Sequence, residues 1–107
     1  MKIYNKLVRD KILEIIEADG KAYKSRILTD KEYAEALAQK FAEEAKELLE
    51  AGEEDDVLGE LSDIVELVHA KLKLVNKSWE DMEAIRIKKL DGRGGFDKKI
   101  FLESVEE

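Results

Sequence analysis

The chain predicts an all-α protein, an antiparallel four-helix bundle completed by oligomerisation, and three observations carry that reading. Apolar residues recur every three or four positions through most of the sequence, the period of a helix face. Proline is absent and only 6 glycines occur in 107 residues, so little interrupts a helical run. Two segments, Thr29-Asp30-Lys31-Glu32 and Ser78-Trp79-Glu80-Asp81, carry the S/T-x-x-D/E pattern with which a helix satisfies its first free N–H groups.

The elements follow in order. Met1 to Leu7 is short and mixed, and reads as extended. From Val8 or Arg9 to Ala18, the apolar positions Val8, Ile12, Ile15 and Ile16 keep a helical period. Asp19-Gly20 ends this first helix, with Gly20 as a left-handed cap. Tyr23 to Leu28 is too short for a helix and is expected to be extended or irregular. A second helix follows the Thr29 cap, with Tyr33, Leu37, Phe41, Ala45, Leu48 and Leu49 as its apolar positions. It should run to about Glu50 and stop near Gly52. A third helix spans about Glu54 to Val75, with a main stripe of Val57, Leu61, Ile64, Val65, Val68 and Leu72. Leu67 and Leu74 lie off that stripe. Apolar residues on two sides of a helix in so small a protein point to a contact between copies, a homodimer or homotetramer. The fourth helix carries Trp79, Met82, Ile85 and Leu90 and is expected to end near Asp91-Gly92. The tail from Gly94 to Glu107 holds Phe96, Ile100, Phe101, Leu102 and Val105 and packs as either an extended segment or a short helix.

Composition narrows the functional classes. A length of 107 residues suits one domain, residues 1–107. With no cysteine there is neither a disulfide nor a thiol nucleophile, which suits a reducing, cytoplasmic setting. The start of the chain has no apolar core of the secretory-signal kind, and no apolar run is long enough to span a bilayer. A formal charge of -7 argues against a nucleic-acid binder, which needs a basic surface. An acidic chain still binds a phosphorylated small molecule when a metal and a few local cations screen it.

The candidate chemistry lies between Glu43 and Asp63. Residues three apart on a helix project side by side, so Glu44 pairs with Glu47 and Glu60 with Asp63. The intervening Ala51-Gly52-Glu53-Glu54-Asp55-Asp56 reads as a helix stop, a turn and a new acidic start. Two antiparallel helices joined there bring the pairs face to face. In a chain that is 42% charged, an acidic string by itself is most often a solvated helix surface. The second pair alters that balance, because Glu60 and Asp63 share a stripe with Leu67 and Leu74, and Glu44 borders the stripe of Leu37, Phe41, Ala45 and Leu48. Carboxylates at the edge of a core are costly unless paired or metal-bound. Hard oxygen ligands suit Mg²⁺, with Mn²⁺ as the alternative, and Mg²⁺ commonly bridges to substrate phosphates.

Glu43-Glu44-x-x-Glu47, twelve intervening residues, then Glu60-x-x-Asp63 resembles the E-E-x-x-E…E-x-x-D motif of the MazG-like all-α nucleoside triphosphate pyrophosphohydrolases. The opening Tyr4-Asn5-Lys6-Leu7-Val8-Arg9-Asp10-Lys11-Ile12 and the late Arg93-Gly94-Gly95-Phe96 resemble a short single-domain branch of house-cleaning pyrophosphatases, related to phosphoribosyl-ATP pyrophosphohydrolase. The resemblance implies a metal held by Glu44, Glu47, Glu60 and Asp63, with Glu43 or Glu47 as the base acting on water. It implies a nucleoside triphosphate or related phosphorylated small molecule as substrate, and association through the helices. Lys89 and Arg93 occupy the K…RGGF spacing of that branch and are the expected phosphate-binding cations. The departure is Gly92, where a helix-compatible polar residue is expected.

Other groups are weaker candidates. Lys6, Arg9 and Lys11 lie at the first helix start, where Lys6 and Arg9 are placed as substrate-binding. Arg86, Lys89 and Arg93 share a face, although cations near a helix C-terminus are also favoured by the macrodipole alone. Gly92 to Gly95 is no P-loop, since no G-K-[ST] follows. His69 reads as a surface residue, and Ser62 and Ser104 lack a base partner. Two rival functions stay open: phosphoribosyl-ATP pyrophosphohydrolase on the same scaffold, and a catalytically silent helical module that binds nucleotide or a partner.

Overall fold

A computed structural model describes residues 2–107 and is all-helical, with α1 Ile12–Ala18, α2 Asp30–Glu50, α3 Glu54–Leu74 and α4 Trp79–Arg93. The two long helices form an antiparallel hairpin, and they are the only helix pair in extensive contact among the described residues. Their seam follows the helical period from Leu37, which is 1% exposed, through Phe41 and Glu44 to Leu48 on α2. On α3 the half-buried residues are Val57, Glu60, Asp63, Ile64, Leu67, Val68, Ala70, Leu72 and Leu74. This is rotated from the expected stripe. Leu61 and Val65 face outward with Leu58, and Leu67 and Leu74 face in. On α2 likewise, Ala45 and Leu49 are exposed.

The caps explain where the helices begin and end. Thr29 Oγ1 accepts from the Glu32 N–H at 3.2 Å, and the Glu32 carboxylate accepts from the Thr29 N–H at 3.0 Å. Arg26 donates twice to the same carboxylate, at 3.2 and 3.0 Å. That guanidinium first, and the Thr29 groups second, hold Glu32 down to about 2. Ser78 and Asp81 form the equivalent box at the start of α4. The third helix has no side-chain cap; Glu54, Asp55 and Asp56 in its first turn oppose the positive end of its dipole instead.

At the close of α1, Gly20 sits at φ 72, the Lys21 N–H reaches the Ile16 carbonyl and the Gly20 N–H reaches that of Glu17. This double bond pattern needs a left-handed residue just past the helix, as the Asp19-Gly20 reading expects. Asn76 performs the same service after α3 at φ 58, a position the sequence reading left unassigned.

Two boundaries differ from expectation. The first helix starts at Ile12, three or four residues late, because the Arg9 carbonyl accepts from Ile12 in a single turn and Lys11 offers no side-chain cap. The fourth helix continues through Gly92 to Arg93, and Gly94, at φ 81, ends it. A lone glycine costs a helix only about 1 kcal/mol relative to alanine, too little to stop a capped one. The tail beyond Gly94 forms no helix; it turns at Asp97-Lys98 and runs on without regular structure. The stretch from Tyr23 to Leu28 is irregular as expected, tied to α1 where the Tyr23 hydroxyl donates to Glu17 at 2.6 Å.

One chain does not enclose a four-helix core. Its surface is 10029 Å², against about 6,100 Å² for a folded monomer of this mass. Its radius of gyration is 18.4 Å, against about 13 Å for a single packed domain of this length. Phe96 is 97% exposed and Ile27 96%, and Ile85, Leu90, Ile100 and Phe101 are also open to solvent.

The Thr29 box carries the start of the longest seam. Thr29→Ala is expected to lower stability by about 1 kcal/mol in urea unfolding, and Thr29→Asp to retain most of it. Equal losses in both variants would show that the cap hydrogen bond is not what matters there.

Candidate metal centre

The hairpin loop sets the geometry of the acids. Gly52 lies in the link between α2 and α3, and Glu44 and Glu60 stand eight residues before and after it. In an antiparallel pair with equal rise per residue, that places the two at the same level of the seam. Both occupy positions of the helical period that would otherwise be apolar: Glu44 lies between Phe41 and Leu48, Glu60 between Val57 and Ile64. Glu47 is one turn from Glu44, toward the loop, and is exposed.

Glu44, Glu47 and Glu60 each present a carboxylate oxygen such that all three lie within 4.8 Å of one another. Two ligands of one octahedral Mg²⁺ stand at most about 4.2 Å apart, so small side-chain rotations bring this set to coordinating distance. Glu44 is 8% exposed, and its Oε2 atom and the Glu60 Oε2 atom are buried without a hydrogen-bond partner. A buried carboxylate oxygen with no donor is costly, and a cation is one of the few groups that satisfies several at once.

Electrostatics point the same way. Burial first, then the crowding of Glu60 and Glu47 and the charge of Asp63, pushes Glu44 up to about 7. Two carboxylate ions do not hydrogen-bond to each other. A proton on Glu44 would let it donate to Glu60 or Glu47, so proton and metal are alternative ways to relieve the same crowding.

The other expected site residues take different places. Asp63 stands outside the triad and accepts from Arg9 Nη2 at 2.7 Å. Glu43 is half-buried and accepts from Lys40 at 3.1 Å. The Lys6 ammonium lies 5.6 Å from the centre of the Tyr4 ring. Arg86 is held by Glu83 on its own helix. Lys89 and Arg93 border an open depression with Ile85, Lys88 and Gly92, to which no residue of α2 or α3 contributes. Within one chain, then, the acids converge and the α4 cations form a separate group. His69 is exposed, its ring stacked on Trp79 at 4.7 Å. The Arg9–Asp63 and Lys40–Glu43 pairs were not anticipated from sequence. The second carried a signal, a lysine three residues before a glutamate; the first, across 54 positions, carried none.

Compared with known proteins, the chain matches no family model, no curated protein and no solved structure. No helix among the described residues is long and apolar enough to cross a membrane.

The raised Glu44 value fixes a direction for stability. Glutamate ionises near 4.5 when unfolded and near 7 here, so the protonated form is the one the fold favours. That contribution is fully present below pH 4.5 and is lost as pH rises through 7. Without divalent ions, Glu44→Gln is therefore expected to melt higher than the wild type at pH 8 and to lose much of that advantage at pH 5. A variant that melts lower at pH 8 would contradict a strained carboxylate at this position.

Proposed function

We propose that the protein is a Mg²⁺-dependent nucleoside triphosphate pyrophosphohydrolase, releasing a nucleoside monophosphate and pyrophosphate, with altered or surplus nucleotides as its targets. The observation that carries the reading is the Glu44 carboxylate, more than nine-tenths buried, with one oxygen unpartnered and with carboxylate oxygens of Glu47 and Glu60 converging on it. The quoted resemblance supplies the reaction class. Glu44, Glu47 and Glu60 would hold the metal, Mg²⁺ or Mn²⁺, with Asp63 one turn further along α3 as the fourth carboxylate. A divalent cation bound there polarises phosphoryl oxygens and lowers the pKa of water.

The chain's own groups do the rest. Glu47, at the open side of the triad, or Glu43 beside it takes a proton from the attacking water. A bond forms between the water oxygen and the α-phosphorus as the bond from that phosphorus to the bridging oxygen breaks, and the electron pair leaves on pyrophosphate. Lys89 and Arg93 neutralise the departing charge. Because α4 does not line the triad within one chain, these cations meet the substrate after assembly. Self-association into a dimer or tetramer, which would complete the bundle, is supported by the outward row Leu58, Leu61 and Val65 on α3 and by the large excess of surface.

Pyrophosphate release should be measured on a panel of nucleotides and phosphoribosyl-ATP, with and without Mg²⁺. Glu47→Gln is expected to lower turnover by at least about a hundredfold with an unchanged helical spectrum. Wild-type turnover in that variant would remove Glu47 from the site, and no metal-dependent release from any substrate would remove the enzyme reading. Sedimentation at micromolar concentration should show a dimer or tetramer; a compact monomer would contradict the assembly.

A further inference from the structure

We infer that Arg9 is an exchangeable counter-ion for Asp63, which holds that carboxylate apart from the triad until a divalent cation takes it over. The inference rests on the cation-site reading of Glu44, Glu47 and Glu60. Among the described residues, Arg9 to Asp63 is the only side-chain hydrogen bond that joins positions more than six apart, and it ties the segment before α1 to the hairpin at 2.7 Å. Asp63 lies one helical turn from Glu60 on the same side of α3, near enough for its charge to bear on Glu44, yet it is not part of the converging set.

The physical logic is charge balance. Four carboxylates in one seam repel, and three already converge. A guanidinium on the fourth cancels one charge and turns its oxygen toward Arg9. Both partners are well exposed, at 59% for Arg9 and 41% for Asp63, so the pair is individually weak and gives way to a stronger competitor. With a divalent cation held by the glutamates, Asp63 would be drawn toward them and Arg9 would be repelled. The guanidinium is then released at the rim of the site, with its planar set of donors free for a phosphate. The two partners of Arg9, carboxylate before loading and phosphate after, would be successive.

The test is Mn²⁺ binding to the full chain by calorimetry at pH 8, for wild type, Arg9→Gln, Asp63→Asn and the double variant, with the helical spectrum checked for each. Arg9→Gln is expected to tighten Mn²⁺ binding about threefold to tenfold. Asp63→Asn is expected to weaken it, and Arg9→Gln to bring no gain in the Asp63→Asn background. Unchanged or weaker binding by Arg9→Gln overturns the inference. An equal gain in both backgrounds also overturns it, because that is the effect of removing any nearby positive charge. Absence of Mn²⁺ binding in the wild type overturns the cation-site reading and this inference together, and so differs from a failure of the inference alone.

Discussion

The structure depends on a charge placed where a hydrophobic contact would ordinarily be. Glu44 and Glu60 stand level with each other in the only extensive helix–helix seam among the described residues, flanked by Phe41, Leu48, Val57 and Ile64. Hydrocarbon at these two positions would continue the seam. Carboxylates there cost stability, and the cost grows with each added negative group. A shared proton or a bound cation offsets that cost. The upward displacement of Glu44 and the unpartnered oxygens of Glu44 and Glu60 are two expressions of that single constraint.

The rest of the molecule is built loosely around that seam. The short first helix and the segment before it reach the hairpin through Arg9, and α4 meets α3 through the stacked rings of His69 and Trp79. Neither attachment encloses a core, and the apolar side chains of α4 and the tail stay in solvent. Hydrophobic area of this extent is rarely left open by a monomer in water. In the proposed assembly the acid cluster and the exposed faces are linked. The hairpin positions the carboxylates, and the surfaces left over are those that would bring further helices, and with them cations, toward the carboxylates.

Much of this was legible in the sequence, for reasons that differ by element. The starts of α2 and α4 followed from Thr29 and Ser78, because a capping box is a local motif whose four residues decide its geometry. The close of α1 followed from Gly20, since a left-handed residue is required there. The three glutamates were legible because two short spacings and a symmetric loop suffice to bring them together. The inward face of α3 was misjudged: with apolar residues on two sides, periodicity does not say which side meets α2, and Leu61 and Val65 turned outward. Gly92 was overweighted as a breaker, since a strong cap at Ser78 and a suitable stop at Gly94 carry the helix through it. The Arg9–Asp63 pair lay beyond any local pattern, as it depends on where the chain before α1 comes to rest.

The central claim is that the seam carboxylates are arranged for a shared divalent ion. Its most direct measurement is anomalous diffraction from crystals grown with Mn²⁺, which locates the ion independently of the light atoms. The account predicts a manganese peak at bonding distance from oxygens of Glu44, Glu47 and Glu60. A map with no peak between α2 and α3, and with those side chains turned apart or paired through shared protons at full Mn²⁺ loading, would contradict it.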